Sequence, residues 1–270
     1  MAVPPDPPSS ERLRFDRFKD RDAEGLAALL ADPEIARNIT TDGSTPERCL
    51  ASARARIARH NAVWDSHGYG VWALRARDGG RGIIGWCGFV EPYVPSEGPE
   101  ILYGLARDCW GQGLGSEAAR AAIDWLFGET RYPDVSALIF GRLNPGSVGI
   151  AEKLGMTPRG SFPFAKFLPE KALAQAVLDY EIWRLREGDC LEPETLLFQA
   201  PYKAGQIVGT GVQEPDAIER ALQDAALARQ GFAGEAPVSL RGRVAEAFRQ
   251  GLKETHVDWY SVTREAWHER

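Results

Sequence analysis

Trp110-Gly111-Gln112-Gly113-Leu114-Gly115-Ser116-Glu117-Ala118-Ala119 places three glycines in a turn that runs directly into a helix. Glycine opens backbone conformations closed to other residues and has no Cβ to hold a ligand away. The following helix, with Leu114, Ala118, Ala122 and Trp125 on one face, presents unpaired N–H groups and the positive end of its dipole to the same spot. A pyrophosphate fits that description. Ser116 stands where a dinucleotide-binding fold needs its third glycine, and no Gly-Lys-Ser/Thr ending marks a P-loop. Upstream, the strand-like runs Tyr69 to Arg75 and Gly82 to Val90 flank the turn Asp78-Gly79-Gly80 and read as an antiparallel hairpin. A third run, Glu100-Ile101-Leu102-Tyr103-Gly104-Leu105-Ala106, ends just before the glycines. The stretch Ile83 to Val90 is apolar on both alternating faces and so predicts a central strand covered on both sides.

The remaining pattern predicts an α/β (α+β) architecture: a mixed, mostly antiparallel sheet flanked by helices. A first strand spans Arg12 to Phe18, with helices around Asp22 to Leu30 and Pro46 to Asp65. A long helix runs from Gly113 to Phe127, followed by a strand from Val135 to Phe140, a helix from Gly146 to Leu154 and a closing strand near Val177 to Leu185. Glu192-Pro193-Glu194 reads as a junction and Ala204 to Gly211 as a short strand or loop. Amphipathic helices carry Ile218, Leu222 and Ala225, then Leu240, Val244, Phe248 and Leu252. A third is expected around Trp259, Val262, Ala266 and Trp267.

The 270 residues, 44% hydrophobic, suffice for one large core or a core with an appendage. No apolar run reaches the length of a membrane span, and the start of the chain lacks the pattern of a signal peptide. Four cysteines, at 49, 87, 109 and 190, show no metal or disulfide spacing and are expected to be free thiols in the cytoplasm. The histidines at 60, 67, 256 and 268 lack ligand spacing, so no metal is expected. A net charge of −6 argues against general nucleic-acid binding but does not repel a cationic amine.

These residues resemble the GNAT superfamily of acyl-CoA-dependent N-acetyltransferases, and within it the ribosomal-protein (RimJ/RimL) type. The family motif Arg/Gln-x-x-Gly-x-Gly/Ala aligns with Trp110, Gly113 and Gly115, departing at its first position. The preceding Glu100, Ile101, Tyr103 and Leu105 match the Glu-Ile-x-Tyr-x-Leu that accompanies the Trp-Gly-x-Gly version. Asn144-Pro145-Gly146-Ser147 and Glu152-Lys153-Leu154-Gly155-Met156 resemble a second family block. Arg12-Leu13-Arg14-Phe15, Asp32-Pro33-Glu34 and Gly68-Tyr69-Gly70-Val71-Trp72 extend the resemblance from about residue 11 to about 185. It implies a flexible tail over 1–10, a catalytic domain over 11–187 and a mainly helical appendage over 188–270. That appendage is expected either to pack on the catalytic domain or on a second copy in a homodimer, or to serve as a lid or acceptor-recognition element.

The resemblance further implies direct transfer of acetyl from acetyl-CoA to an amine in a ternary complex. The pyrophosphate would lie on Gly111, Gln112, Gly113, Leu114, Gly115 and Ser116. The amide of Leu105 or Ala106 would polarise the thioester carbonyl. Trp110 would form an aromatic wall for the cofactor or cover the helix start, and Arg107, Arg142 and Lys153 would meet phosphates or remain solvated. Glu100 is the candidate base, or a carboxylate that orients the acceptor. Ala151 replaces the tyrosine that many members use to protonate the leaving thiolate, so Ser147 or Asn144 would substitute; the structural alternatives are a helix cap at Asn144 and, for Ser147, a place in that helix's first turn. An α-amine of pKa about 8 is roughly a tenth neutral at pH 7, against about one lysine amine in two thousand. A protein N-terminus or small-molecule amine is therefore favoured as acceptor. The competing reading is a GNAT-fold protein that binds acyl-CoA without turning over an amine, acting as a regulatory or partner-binding module.

Overall fold

The computed structural model describes residues 6–36, 46–79, 82–92, 96–139, 144–163, 193–209, 214–229, 236–253 and 256–269, together with 175, 178, 179, 181, 182, 185, 186 and 232. Seven strands form one sheet: β1 (Leu13–Arg17), β2 (Val71–Ala76), β3 (Gly85–Val90), β4 (Glu100–Leu105), β5 (Asp134–Ile139), β6 (Thr157–Pro163) and β7 (His256–Thr263), in the order β1-β2-β3-β4-β5-β7-β6. Pairings β1–β2, β2–β3, β3–β4 and β5–β7 are antiparallel, and β4–β5 is parallel. The helices are α1 (Ala23–Ala31), α2 (Pro33–Ala36), α3 (Pro46–His67), α4 (Leu114–Glu129), α5 (Pro145–Lys153), α6 (Pro193–Val208), α7 (Pro215–Ala228), α8 (Pro237–Lys253) and α9 (Arg264–His268). This is the mixed, mostly antiparallel sheet with flanking helices that the alternating and 3.6-residue patterns predict.

By contacts the chain divides into two compact units that interleave in sequence, rather than at a single cut near 188. The first comprises residues 1–30, 50–160 and 258–270. Its core lies between one face of the sheet and α4, where Leu114, Ala118, Ala122, Ile123, Trp125 and Leu126 meet Cys87, Phe89, Ile101, Val135, Ala137, Ile139 and Val262. Central β3 is buried along nearly its whole length, as its two-sided apolar pattern requires. Trp64, Trp72 and Trp125 pack edge to face in this core. Residues 6–10, read as part of a free tail, are held in this unit: the indole of Trp125 donates to the Asp6 carbonyl at 2.7 Å, and the Ser10 hydroxyl bonds Glu117. Residues 1–5 lie outside the described residues.

The closing strand is not where the pattern put it. The described residues between 175 and 186 are helical, and the strand beside β5 is β7, from the far end of the chain. His256-Val257-Asp258-Trp259-Tyr260-Ser261-Val262-Thr263 is rich in β-branched and aromatic residues, which favour strands. The helical spacing of 259, 262 and 266 is incidental, because only Arg264–His268 is helical. Arg264 then fixes the strand to α4: its guanidinium donates to the carbonyls of Phe127, Thr130 and Tyr132, and its backbone N–H to Pro133 O at 2.7 Å. The Phe127 and Thr130 carbonyls belong to the end of α4, where the cation complements the dipole, and those of Tyr132 and Pro133 to the loop that follows. Trp267 adds an indole hydrogen bond to Asp124 at 2.7 Å.

The second unit comprises residues 31–49 and 161–257, and its described residues are mainly helical. Ala204 to Val208 continue α6 instead of forming a strand or loop; 210 and 211 lie outside the described residues. Helix α6 crosses α8 at two glycines. A Cβ on Gly205 would sit 2.2 Å from the Phe248 carbonyl oxygen, and one on Gly251 would sit 2.0 Å from that of Tyr202. Helix α7 contributes Ile218, Leu222, Ala225 and Ala226 to this unit's core, and Lys203 pairs with Glu181 in its interior at 3.2 Å. No helix among the described residues is long and apolar enough to cross a membrane.

Candidate active site

The sheet parts at β4 and β5. Glu100 is in register with Ser136, and the Ser136 N–H donates to Pro99 O at 3.1 Å. Beyond that point no register pair joins the two strands among the described residues. A clasp fixes the joined end: Asp134 Oδ1 accepts from Gly98 N at 2.6 Å and from the Ser96 hydroxyl at 3.0 Å. The strands therefore diverge toward Leu105 and Ile139 and leave backbone groups of β4 without a ladder partner.

Alternation decides which groups face that gap. The Ala106 N–H donates to Ile84 O at 2.8 Å, toward β3, whereas Pro99 O faces β5. Residues two apart share a direction, so Ile101, Tyr103 and Leu105 turn their N–H and C=O groups to the gap. Ala106 cannot supply the expected amide: its N–H is bonded to Ile84 and its carbonyl accepts from Cys109 N at 2.9 Å. The Leu105 carbonyl accepts from the Trp110 indole N–H at 2.8 Å, while its amide faces the gap. Trp110 thus anchors the turn to the end of β4, with its ring 39% exposed.

At the wide end lies the glycine turn. Gly111 and Gly113 have φ of +73° and +78°, which favours glycine, and Gly113 is the N-cap of α4 with no side-chain cap. The first intrahelical bond runs from Glu117 N to Gly113 O. The amides of Leu114, Gly115 and Ser116 consequently stand in front of the helix with no acceptor among the described residues, the property a pyrophosphate requires. Arg12 of β1's approach braces this turn. Its guanidinium donates to Gln112 O at 3.0 Å and to Glu117 Oε2 at 2.6 Å, and its N–H donates to Glu117 Oε1 at 2.8 Å. Burial pushes the Glu117 carboxyl up, but the hydrogen bonds from Ser10 and Arg12 and the Arg12 charge hold it below the usual carboxylate range.

Helix α5 brings the second block to the same side of the sheet as α4. Ile150 packs against Gly115, where a Cβ would lie 2.9 Å from Ile150 Cδ1, and Ala151 and Leu154 enter the α4 core. Asn144 is the N-cap of α5, its Oδ1 accepting from Ser147 N at 3.1 Å; this is the capping alternative. The Tyr103 hydroxyl donates to Ser147 O at 3.4 Å and so ties β4 to α5 across the gap. Burial raises the Tyr103 phenol to about 12 despite that bond. Glu100 is buried, 6% exposed, and its register places it on the opposite face of the sheet from Ile101 and the α4 core. Lys153, exposed at the end of α5, offers its carbonyl to Arg120 at 3.2 Å. Arg142 lies outside the described residues.

The histidines read as structural include His60, 3% exposed and stacked on Phe18; burial, with Arg59 and Arg56, drives it down to about 3. Among the described residues no cluster of three His, Cys, Asp or Glu is placed to hold a metal ion.

Residues 12–157, more than half of the chain, match the family model described as acetyltransferase (GNAT) domain. The chain belongs to the GNAT acetyltransferase family. It is an acyltransferase that takes its acyl group from acetyl-CoA. The acetyltransferase is similar to the uncharacterized protein YkkB of Bacillus subtilis (strain 168), 33% identical over 153 residues that cover 54% of this chain and 83% of that one. It is also similar to the uncharacterized N-acetyltransferase p20 of Bacillus licheniformis, 29% identical over 118 residues, 44% of this chain and 64% of that one. A putative ribosomal-protein-serine acetyltransferase from Vibrio cholerae shares the fold, with a TM-score of 0.50 and 16% identity over 60% of this chain and 89% of that one. The matched residues end at 157, before the 161–257 part of the helical unit and before β7. The brace by Arg12 and Glu117 was not foreseen; its one sequence signal is a carboxylate in the first turns of a helix whose start is otherwise uncapped.

Proposed function

We propose that the acetyltransferase moves acetyl directly from acetyl-CoA to a primary amine, a protein N-terminal α-amine or a small-molecule amine, within a ternary complex. The observation that carries this reading is the gap between β4 and β5. The glycine turn, Leu114–Ser116 amides and Ser147 belong to the α4 and α5 side of the sheet, whereas Glu100 belongs to the other. Donor and acceptor approaching from opposite faces meet in the gap beside the Leu105 amide.

In this reading the amides of the turn hold the pyrophosphate and the Leu105 N–H hydrogen-bonds the thioester oxygen, stabilising charge as it develops there. Glu100, about 16 Å back along β4 from the Leu105 amide, takes the proton from the acceptor ammonium through a chain of waters. The neutral nitrogen attacks the carbonyl carbon, a C–N bond forms, the C–S bond breaks, and the thiolate leaves with a proton supplied through the Ser147 hydroxyl. Asn144 acts by capping α5 and so fixing Ser147, and Tyr103 locks the same turn through the Ser147 carbonyl. The favoured acceptor is an amine of low pKa, because an α-amine of pKa about 8 is neutral some hundredfold more often than lysine.

The test is calorimetric titration with acetyl-CoA and longer acyl-CoAs, followed by mass spectrometry of N-terminal peptides and small amines incubated with the donor. Micromolar binding with acetylated α-amines is expected. Binding of acyl-CoA without transfer to any amine class overturns the catalytic reading in favour of a binding module.

A further inference from the structure

A buried row of polar side chains crosses the sheet at the joined end of the gap. Glu100 on β4 is in register with Ser136 on β5, and Ser136 with Ser261 on β7. Residues paired in register point to the same face. Val135, Ala137, Ile139 and Val262 fill the α4 core on one face, so Ser136, Ser261 and Glu100 share the other. They are 0%, 3% and 6% exposed. At the end of the row, Arg159 of β6 donates from Nε to the Ser261 hydroxyl oxygen at 2.8 Å. The Ser136 hydroxyl, in the middle, has no hydrogen-bond partner among the described residues although it is fully buried.

The direction of this row follows from its chemistry. A guanidinium only donates, so the Ser261 oxygen is an acceptor for Arg159 and its own proton is turned elsewhere. The next polar group across the sheet is Ser136, and beyond it the Glu100 carboxylate, which when ionised only accepts. Side chains directly opposite one another on neighbouring strands have Cβ atoms about 5 Å apart, a span that two hydroxyls close by rotation about χ1. With the Ser261 and Ser136 hydroxyls so turned, each donor would point the same way, from the Arg159 cation toward the Glu100 anion; of these bonds the structure shows that from Arg159 to Ser261. Such an arrangement favours the charged form of a carboxylate whose burial opposes it.

We propose that Ser136, Ser261 and Arg159 are positioning residues that hold Glu100 ionised and aimed at the gap. The proposal rests on the reading of Glu100 as the base, but its own content, hydrogen bonding to the Glu100 carboxylate, is separately measurable. Ser136→Ala removes one oxygen without adding volume. Arg159→Met keeps the apolar stem at an exposed edge position and removes the cation, and Arg159→Lys restores a donor.

The full chain carrying 13C-carboxyl glutamate is titrated by NMR, with the Glu100 signal assigned by its absence in Glu100→Gln. The Glu100 midpoint is expected to rise by about half a pH unit or more in Ser136→Ala and in Arg159→Met, and to return in Arg159→Lys. The acidic limb of kcat/KM should move by the same amount with the high-pH plateau kept. An unchanged Glu100 midpoint in both variants overturns the proposal whatever Glu100→Gln does to turnover. If the midpoint moves but Glu100→Gln retains full activity, the row stands and the assignment of Glu100 as base falls.

Discussion

Replacing Arg12 with alanine should weaken acetyl-CoA binding although Arg12 lies outside the glycine turn. In the native chain its guanidinium joins Gln112 O, in the turn, to Glu117, in the first turns of α4. The Arg12 side chain is 48% exposed and that of Glu117 19%, so solvent screens the pair and its Coulomb part is worth only about 0.2–1 kcal/mol. The hydrogen bond to the Gln112 carbonyl adds about 1 kcal/mol. The total, about 1–2 kcal/mol, divides between global stability and the local order of the turn. If half falls on the turn, the Kd for acetyl-CoA rises about three- to fivefold, with kcat at saturating donor unchanged. Arg12→Lys should recover only part, since a single ammonium cannot engage both partners with the geometry of the fork. Calorimetry with acetyl-CoA, beside a thermal melt, reads both contributions. A lowered Tm with an unaltered Kd would refute the idea that this brace shapes the phosphate site. Because Glu117 titrates below the usual carboxylate range in the fold, its contribution is complete at neutral pH and is lost as pH falls through that lowered value.

Gly113→Val forces a β-branched side chain into φ +78° and should cost at least about 1–2 kcal/mol, read as a tenfold or larger loss of acetyl-CoA affinity by calorimetry. Gly251→Val drives a side chain into the Tyr202 carbonyl and should abolish the cooperative melt of the helical unit, followed by limited proteolysis. His60 is neutral in the fold, with a value near 3 against 6.5 unfolded, so stability is full above about pH 6.5 and declines as pH falls below it; the loss should be on the order of 2 kcal/mol at pH 5. Urea titrations at pH 7 and 5 should show that loss in the native chain and a smaller one in His60→Phe. Truncation after Gly188 removes β7 and Arg264 from the first unit, and should yield an insoluble or molten product instead of an active catalytic core.

What the sequence disclosed and what it withheld follow one physical division. Local signals were readable: the positive φ at Gly111 and Gly113, the buried stripe of Leu114, Ala118, Ala122 and Trp125, and the two-sided burial of β3 all follow from residues a few positions apart. Pairing between distant segments was not. Nothing near Leu178 or Leu185 says that these residues are helical, and nothing near Trp259 says that β5 is waiting for a partner; apolar residues at 259, 262 and 266 satisfy a helical count by coincidence. The candidate site divides in the same way. Trp110, the glycine turn and the Asn144 cap were visible in their motifs. The commitment of the Ala106 amide to Ile84, the brace from Arg12 to Glu117, and the register of Ser136 with Ser261 depend on which strands lie side by side.

The place of β7 also bears on how the enzyme is made. Its partner β5 ends at Ile139, yet β7 begins only at His256, so the sheet cannot close until the whole helical unit has been synthesised. On an unfolded chain, joining such distant ends carries a loop entropy that grows slowly with length, and contacts of this range slow folding. A helical unit that folds first, through the local contacts of α6, α7 and α8, shortens that effective loop before β7 arrives. The order of synthesis would then make the helices a scaffold for completing the catalytic sheet, and mutations that loosen their packing would surface as lost acetyltransferase yield rather than as altered kinetics.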